Sequence, residues 1–364
     1  MCYDYFVIKN NKGETPMKPA FFTFGLIATL CGGNAMADDF TYAANGVAAY
    51  NIMAMQHNIV NRAIILPTRR DAKKTENNAV DAEQYGEMLY YGEYGDDTGV
   101  LPLTGRNGGD VSNAYIGADW QHIDENVKFK SHPHMDATMD LAMIEFGNNF
   151  ETMYGRPLDL KFFGGYVGGD IKNQELRISQ GGGFIGIFAH RTVDNFDINA
   201  VGNFGLMINN VRKLPTTDDF NNIWVSVNMD VAYNFAIDEY IVLKPNVRGG
   251  YTWIYSPNYE LKNGQNINNK NFSVFELTPA IDANINVGDG WTIGARGAYV
   301  MNFVDGGETY VEYSKISSIE SKDYFEYGIK IEKSVDDLNF GINVGRHDGG
   351  RTGWFGGATI KYLF

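Results

Sequence analysis

The feature that most constrains the fold is a strict alternation of apolar and polar residues along unusually long segments. From Ile241 to Tyr255 the odd positions carry mainly apolar and aromatic residues, whereas the even positions include Lys244, Asn246 and Arg248. Because successive side chains of a strand point to opposite faces, this segment has one apolar and one polar face. Its length exceeds the about 5–6 residues of an ordinary strand and reaches the about 9–11 residues of a tilted membrane-spanning strand.

The alternation recurs between residue 113 and the C-terminus, in about twelve segments. The predicted strands are residues 113–123, 137–150, 158–170, 175–190, 195–211, 221–236, 240–255, 272–287, 291–304, 323–333, 338–346 and 353–364. Short and long connections alternate between them, and short turns on one side with longer loops on the other are typical of outer-membrane barrels. The short connections are Thr192–Asp194, Ile237–Glu239, Gly288–Gly290 and Ser334–Asp337; the long ones are Arg212–Phe220, Ser256–Asn271 and Asp305–Lys322.

These patterns predict an all-β fold: an antiparallel, up-and-down transmembrane β-barrel of about twelve strands over residues 113–364. The alternative is a soluble sandwich whose inner faces use the same residues. A mean hydropathy of −0.27 does not oppose a membrane barrel, since polar lumen-facing residues dilute the apolar ones. The only sustained apolar run, Ala20–Leu30, is too short for a membrane-spanning helix. The net charge is −14 and no basic stripe is present, which argues against nucleic acid as a partner.

The N-terminus predicts export. Residues 1–16 are mostly polar and are interpreted as an upstream extension, and residues 17–37 as a secretory signal peptide. Ala35 and Ala37 form the small-x-small cleavage pattern, so the mature chain is expected to start at Asp38. Cys31 raises the alternative of a lipoprotein, but Leu30 stands where a lipobox requires a small residue. With Cys2 and Cys31 removed, the mature chain has no thiol, which suits an oxidising compartment.

Residues 38–112 are predicted to hold a short helix and a linker. Ala43–Ile65 is rich in Ala and Met, which favour helix, and about 20 helical residues span about 30 Å, the thickness of a membrane. This segment is a candidate pore helix; a surface-docked helix or an extra strand are the alternatives. Arg69–Asp81 is polar and typical of a linker.

Charged residues on the polar strand faces are the best candidates for function, because an Arg or Lys facing lipid at mid-bilayer costs about 2–4 kcal/mol. They line a pore or hold a pore helix in one interpretation, and form cross-barrel ion pairs that only fill the lumen in the other. The predicted lumen charges are Asp230, Lys244, Arg248, Glu276, Asp282, Arg296, Lys330 and Glu332.

Several segments together suggest a family. Residues 160–170, 239–253, 340–345 and 353–364 resemble strands of autotransporter β-domains. That resemblance implies a twelve-stranded outer-membrane barrel with a helix through its pore and a passenger ahead of it. The alternating C-terminal strand, with Tyr362 and Phe364 at its end, resembles the signal by which the barrel-assembly machinery recognises outer-membrane proteins.

The resemblance implies a membrane anchor or translocator, but the residues before the barrel leave no room for a sizeable passenger. The alternative is a porin-like channel or an adhesive barrel that binds an external ligand at loops 256–271 and 305–322. An enzyme is not expected, because the six histidines are scattered and a rim protease needs His beside a carboxylate or Ser. His132-Pro133-His134 is a weak metal-binding pattern, and neither a metal nor a cofactor is predicted.

Overall fold

The computed structural model describes most of the chain from residue 44 onward. The described residues are 44–65, 114–129, 134–151, 157–174, 176–212, 217–238, 240–260, 264, 266–311, 314–316 and 322–364. The predicted signal peptide, with Ala35 and Ala37, and the linker Arg69–Asp81 lie outside these ranges.

One helix and twelve long strands make up the described chain. The helix α1 spans Ala44–Ala63. The strands are β1 (Tyr115–Val127), β2 (Met135–Glu151), β3 (Pro157–Lys172), β4 (Arg177–Val193), β5 (Phe196–Arg212), β6 (Thr217–Tyr233), β7 (Ile241–Tyr255), β8 (Phe272–Gly288), β9 (Trp291–Gly306), β10 (Tyr324–Val335), β11 (Leu338–Gly349) and β12 (Arg351–Leu363). The described residues contain no helix with the length and hydropathy of a membrane span.

The strands form a closed antiparallel barrel in which each strand pairs with the next along the chain. The last strand returns to the first, with a register that runs from Tyr115 opposite Leu363 to Val127 opposite Arg351. Closure leaves no open sheet edge, which a membrane requires because lipid cannot satisfy free backbone groups. The predicted fold class is confirmed.

The two faces of the wall follow the predicted period of two. Apolar side chains point outward from the middle of the strands; Ile144, for example, is 69% exposed. Its neighbours Met143 and Glu145 are buried on the inner face. The outer surface is therefore the lipid-facing one, and the inner face carries both polar and apolar groups.

At one end of the barrel, here called the turn end, tight hairpin turns connect neighbouring strands. Asp194, Asp289 and Asp336 occupy their turns with positive φ angles of 53°, 49° and 51°. Aspartate tolerates this left-handed conformation because its short polar side chain bonds locally. In the connection that follows β6, the two-residue strand Phe235–Ala236 pairs with the start of β7.

The opposite end, here called the loop end, carries the long connections after β7 and β9. Four short strands in these connections form a second small sheet: Tyr259–Glu260, Asn266–Asn269, Thr309–Val311 and Ser314–Ile316. The predicted long connection Arg212–Phe220 is wrong in extent, because Arg212 pairs with Thr217 and residues 217–220 already belong to β6. The strand continues because backbone pairing does not require apolar side chains beyond the membrane.

A charge placed on the outer face at mid-strand tests which surface meets lipid. We expect Ile144→Arg to lower the free energy of unfolding by about 2–4 kcal/mol in a bilayer, because an arginine at mid-membrane loses hydration. Urea titration of the barrel refolded into lipid vesicles measures this. Phe196→Arg, an outward position at the turn end that is 46% exposed, is the control, with an expected loss of about 0–1 kcal/mol near the interface. Equal losses at both positions would contradict the assigned orientation.

Candidate functional site

The barrel lumen is the candidate functional site, because α1 occupies it. Every residue of α1 except Asn61 is buried. Near its N-terminal end, Asn222 Nδ2 of β6 donates to Asn45 Oδ1 at 3.1 Å, close to the loop end. Beyond its C-terminal end, Lys161 and Lys361 donate to the Ile65 carbonyl oxygen at 3.1 and 2.5 Å, close to the turn end. The helix therefore runs through the barrel from the loop end to the turn end.

The sequence of α1 suits a helix that is enclosed on all sides. An ordinary surface helix has one apolar stripe and one polar face. In α1, apolar and polar residues are mixed around the axis, and small residues such as Gly46, Ala48, Ala49 and Ala54 recur. Small side chains let the helix fit inside a wall of twelve strands. The polar side chains of α1 form hydrogen bonds with that wall.

Neutral hydrogen bonds hold the middle of α1 against the wall. Asn51 Nδ2 donates to Gln180 Oε1 at 2.6 Å, and Gln121 Nε2 donates to Asn58 Oδ1 at 3.1 Å. The fully buried Trp224 donates through Nε1 to Gln56 Oε1 at 3.1 Å. These partners lie on β4, β1 and β6, so the helix is fixed from several sides.

A charged network, here called the His57 network, ties α1 to the opposite wall. His57 Nδ1 lies 2.8 Å from Glu276 Oε1 of β8, and His57 Nε2 lies 2.9 Å from Glu326 Oε2 of β10. Arg248 Nη2 of β7 lies 2.8 Å from His57 Nδ1 and 3.1 Å from Glu276 Oε1. Asn61 Nδ2 lies 3.0 Å from His57 Nε2. One helical side chain thus contacts three strands.

The network continues along the wall from β10 to β11, β1 and β12. His347 Nε2 lies 3.3 Å from Glu326, and His347 Nδ1 lies 3.1 Å from Glu125 Oε2 of β1. Arg351 of β12 binds Glu125 through both Nε and Nη2. All four side chains are at most 4% exposed. Buried charges need such pairing, because an unpaired one is costly.

A second charged cluster anchors the chain where it leaves α1. Glu145 lies 2.8 Å from the Lys161 ammonium and 2.5 Å from the Lys361 ammonium, and all three side chains are at most 1% exposed. Both lysines also donate to the Ile65 carbonyl oxygen. The cluster fixes the chain at the turn end of the lumen, because cations at a helix C-terminus satisfy free carbonyl groups and the helix dipole.

The structure places all eight predicted lumen charges on the inner face, in two groups. Arg248 and Glu276 contact α1. The other six have partners on the wall: Lys244 pairs with Asp197 at 3.3 Å, Arg296 with Asp282 at 2.8 Å, Lys330 with Glu332 at 3.3 Å, and Asp230 accepts from Asn199 at 2.9 Å. These six surround a cavity of about 310 Å³ that also contacts Ile64 and Ile65 at the end of α1.

Sequence reasoning found the buried Arg248 but missed six other deeply buried charges. They are Glu125, Glu145, Lys161, Glu326, Arg351 and Lys361. The signal was present for Glu326, which stands between the outward-facing Phe325 and Tyr327, but not for Glu145, whose inner-face neighbours on β2 are the apolar Met139, Leu141 and Met143. Applying the alternation to the last three strands would have found Glu326, Arg351 and Lys361.

The C-terminal residues Tyr362 and Phe364 point outward at the turn end and are 43% and 55% exposed. Their rings meet edge to face at 5.2 Å, and the Phe364 amide donates to the Ala114 carbonyl at 2.9 Å. Of the weak metal pattern, His134 is exposed, while His132 and Pro133 lie outside the described residues.

Comparison with known proteins places the barrel in a family. The sequence profile described as "Autotransporter beta-domain" matches residues 137–351, which is more than half of the chain. The chain belongs to the autotransporter β-domain family. Its membership confirms the resemblance found in the four strand segments and the predicted outer-membrane location.

Solved structures agree on the fold of this autotransporter β-domain. The transport unit of AIDA-I from Escherichia coli is 14% identical, with a TM-score of 0.59 over 78% of this chain and 98% of that one. The translocator domain of NalP from Neisseria meningitidis is 9% identical, with a TM-score of 0.58 over 78% and 96%. The β-domain of BrkA from Bordetella is 13% identical, with a TM-score of 0.53 over 70% and 100%. Among curated protein sequences there is no significant match.

Proposed function

We propose that this autotransporter β-domain anchors in the outer membrane and holds the chain segment ahead of α1 at the cell surface. The observation that carries the proposal is the direction of α1. Its N-terminal end lies at the loop end, beside Asn222, and its C-terminal end lies at the turn end, beside Lys161 and Lys361. In outer-membrane barrels the long loops are external and the short turns periplasmic. A chain that crosses the pore once in this direction has its upstream part outside.

A porin-like channel is less well supported, because α1 fills the lumen along most of its length. An enzyme is also not proposed. The buried histidines His57 and His347 each lie between two carboxylates. The buried His190 lies 3.3 Å from the Thr192 hydroxyl, but that hydroxyl donates its proton to Asp197 at 2.8 Å, whereas an activated nucleophile donates its proton to the histidine.

Two partner assignments follow from the same architecture. We infer that Tyr362 and Phe364 serve as the assembly signal, since both rings are exposed at the end of the closing strand. The described parts of the loops 256–271 and 305–322 form one platform at the loop end, in which Lys270 and Lys315 both pair with Glu308. Hydrogen bonds from Lys270 and Lys315 lower the pKa of Glu308 to about 2. The carboxylate therefore stays charged at neutral pH, and we propose this platform as the site for an external ligand.

Surface labelling of intact cells tests the proposed display. We expect an epitope inserted between Phe40 and Thr41 to bind antibody on intact cells, because the N-terminal end of α1 lies at the external end of the pore. The matched control is the same epitope between Asp336 and Asp337, in the β10–β11 turn, which should bind only after the outer membrane is permeabilised. If the first epitope also requires permeabilisation, the proposed direction of the chain is wrong.

A further inference from the structure

We propose that the cavity at the turn end of the lumen, here called the vestibule, binds a polyamine, a linear organic cation with several ammonium groups. The vestibule measures about 310 Å³ and lies between Ile64 and Ile65, at the end of α1, and the inner wall of the barrel. Small-molecule sites have volumes of about 300–1,000 Å³. Binding here is an activity separate from the proposed surface display, since it depends on the vestibule and not on the direction of α1.

The charges of the vestibule leave one carboxylate, that of Asp230, without a cation. The residues that line it include five acids and four permanent cations. Each cation already lies within 4.0 Å of a carboxylate: Lys244 of Asp197, Arg296 of Asp282, Lys330 of Glu332, and Arg62 of Asp119. The fifth acid, Glu326, lies 3.4 Å from Arg296 and also contacts two histidines. In the part of the chain that the structure describes, no Lys, Arg or His nitrogen lies within 4.0 Å of Asp230.

Asp230 therefore offers a negative charge to whatever enters the vestibule. It is 6% exposed and accepts a hydrogen bond from Asn199 Nδ2 at 2.9 Å. Arg248 stands opposite it on β7, but both Nη atoms of Arg248 are bound to α1 and to Glu276. Because a buried carboxylate is costly unless it is paired, a positively charged ligand is stabilised at this position.

Two amide oxygens of the vestibule add free hydrogen-bond acceptors. Asn246 Nδ2 donates to the Lys244 carbonyl at 3.1 Å and to Asp282 Oδ2 at 2.6 Å. Both partners only accept, which fixes the orientation of the amide and leaves its Oδ1 as the free atom. Gln121 donates through Nε2 to Asn58 Oδ1 at 3.1 Å, so its Oε1 is free in the same way. Both side chains are more than nine-tenths buried, and neither oxygen has a partner among the described residues.

This set of acceptors favours an ammonium group over a metal ion. Calcium takes about 6–8 oxygen ligands, but the described residues contain no group of three or more His, Cys, Asp or Glu that could hold a metal. An ammonium group has three N–H donors, which can bond to Asp230 and to amide oxygens together. Apolar side chains also line the vestibule and suit the methylene segments of a polyamine; they are Ile64, Ile65, Ala232 and Phe355.

Isothermal titration calorimetry with spermidine tests the site on the full mature chain, refolded in detergent micelles at about 0.15 M salt, where surface charges are screened. We expect saturable binding of one spermidine per chain. Asp230→Asn keeps the shape of the side chain and should weaken binding at least about tenfold, because a hydrogen bond to a charged group is lost. The matched control is Asp140→Asn, which removes the same charge from an outward carboxylate that is 57% exposed and should leave the affinity unchanged.

Three results would overturn the proposal: no saturable binding to the wild type, equal affinity in Asp230→Asn, or displacement of spermidine by an equal concentration of calcium chloride, which would indicate a metal site. Should Asp230→Asn fail to fold, as judged by heat-modifiable gel mobility, Ala232→Lys provides a second test. Ala232 lies two residues further along the same inner face and is 7% exposed. Lysine there places an ammonium group beside Asp230, so retained spermidine binding in that variant also overturns the site.

The surface epitope reports separately on the proposed function. An accessible epitope on a protein that does not bind spermidine rejects the vestibule site alone. An inaccessible epitope on a protein whose spermidine binding depends on Asp230 rejects the display alone.

Discussion

Glu125→Leu is expected to lower the free energy of unfolding by about 3–5 kcal/mol, because it leaves a buried cation without its partner. Arg351 binds Glu125 through two nitrogens, and both side chains are at most 1% exposed. They also join β1 to β12, so the loss falls on the strand pair that closes the barrel. Urea titration in detergent micelles, followed by heat-modifiable gel mobility, measures the change.

An exposed pair of the same chemistry provides the control. Arg177 binds Asp170 through Nε and Nη2 near the loop end, with side chains 49% and 34% exposed. Asp170→Asn should change stability by less than about 1 kcal/mol, since water screens an exposed pair. Adding Arg351→Met to Glu125→Leu should restore much of the loss, because the unpaired charge is then gone. A small effect of Glu125→Leu alone would show that water reaches Arg351.

Trp224→Ala is the second large effect, with an expected loss of about 3–5 kcal/mol. The indole is fully buried between the wall and α1, and its Nε1 lies 3.1 Å from both Gln56 Oε1 and Asn203 Oδ1. Alanine would leave a cavity beside the helix and remove the donor from two buried oxygens. The same unfolding measurement applies.

Two further substitutions show whether the fit of this ring matters. Gly205 faces the indole so closely that an added Cβ would lie 2.0 Å from a ring carbon of Trp224. Gly205→Ala should therefore cost about 1–3 kcal/mol through overpacking. Trp120→Ala, at an outward position that is 50% exposed, should cost clearly less than Trp224→Ala. Equal losses at Trp120 and Trp224 would mean that the ring does not hold α1.

The wall of the barrel could be predicted closely from the sequence, because membrane and lumen impose opposite demands on alternate residues. The segment from Ile241 to Tyr255 shows this: Val247 and Tyr251 are exposed to the outside, while Asn246 and Arg248 are buried inside. The error at Arg212–Phe220 arose where β5 and β6 extend past the membrane. There the alternation of apolar and polar residues no longer indicates a strand, although the backbone pairing continues to Arg212 and Thr217.

The interior of the barrel was harder to predict, for two physical reasons. An enclosed helix has no solvent side, so α1 lacks the one-sided pattern that assigns a helix to a surface. The partners of His57 are also 219 and 269 residues away in sequence. Which carboxylates reach the ring depends on the register of β8 and β10, and that register cannot be obtained from the spacing of charged residues alone.

The position of α1 beside β1 and β12 has a mechanical consequence. Arg62 of the helix donates to the Trp120 carbonyl of β1 at 3.0 Å and to the Thr359 hydroxyl of β12 at 3.4 Å. The first and last strands are thus joined twice, by their own backbone hydrogen bonds and by Arg62, which bonds to both strands from inside the barrel. Separation of these two strands must break both sets of bonds. The helix in the pore therefore also strengthens the strand pair that no hairpin connects.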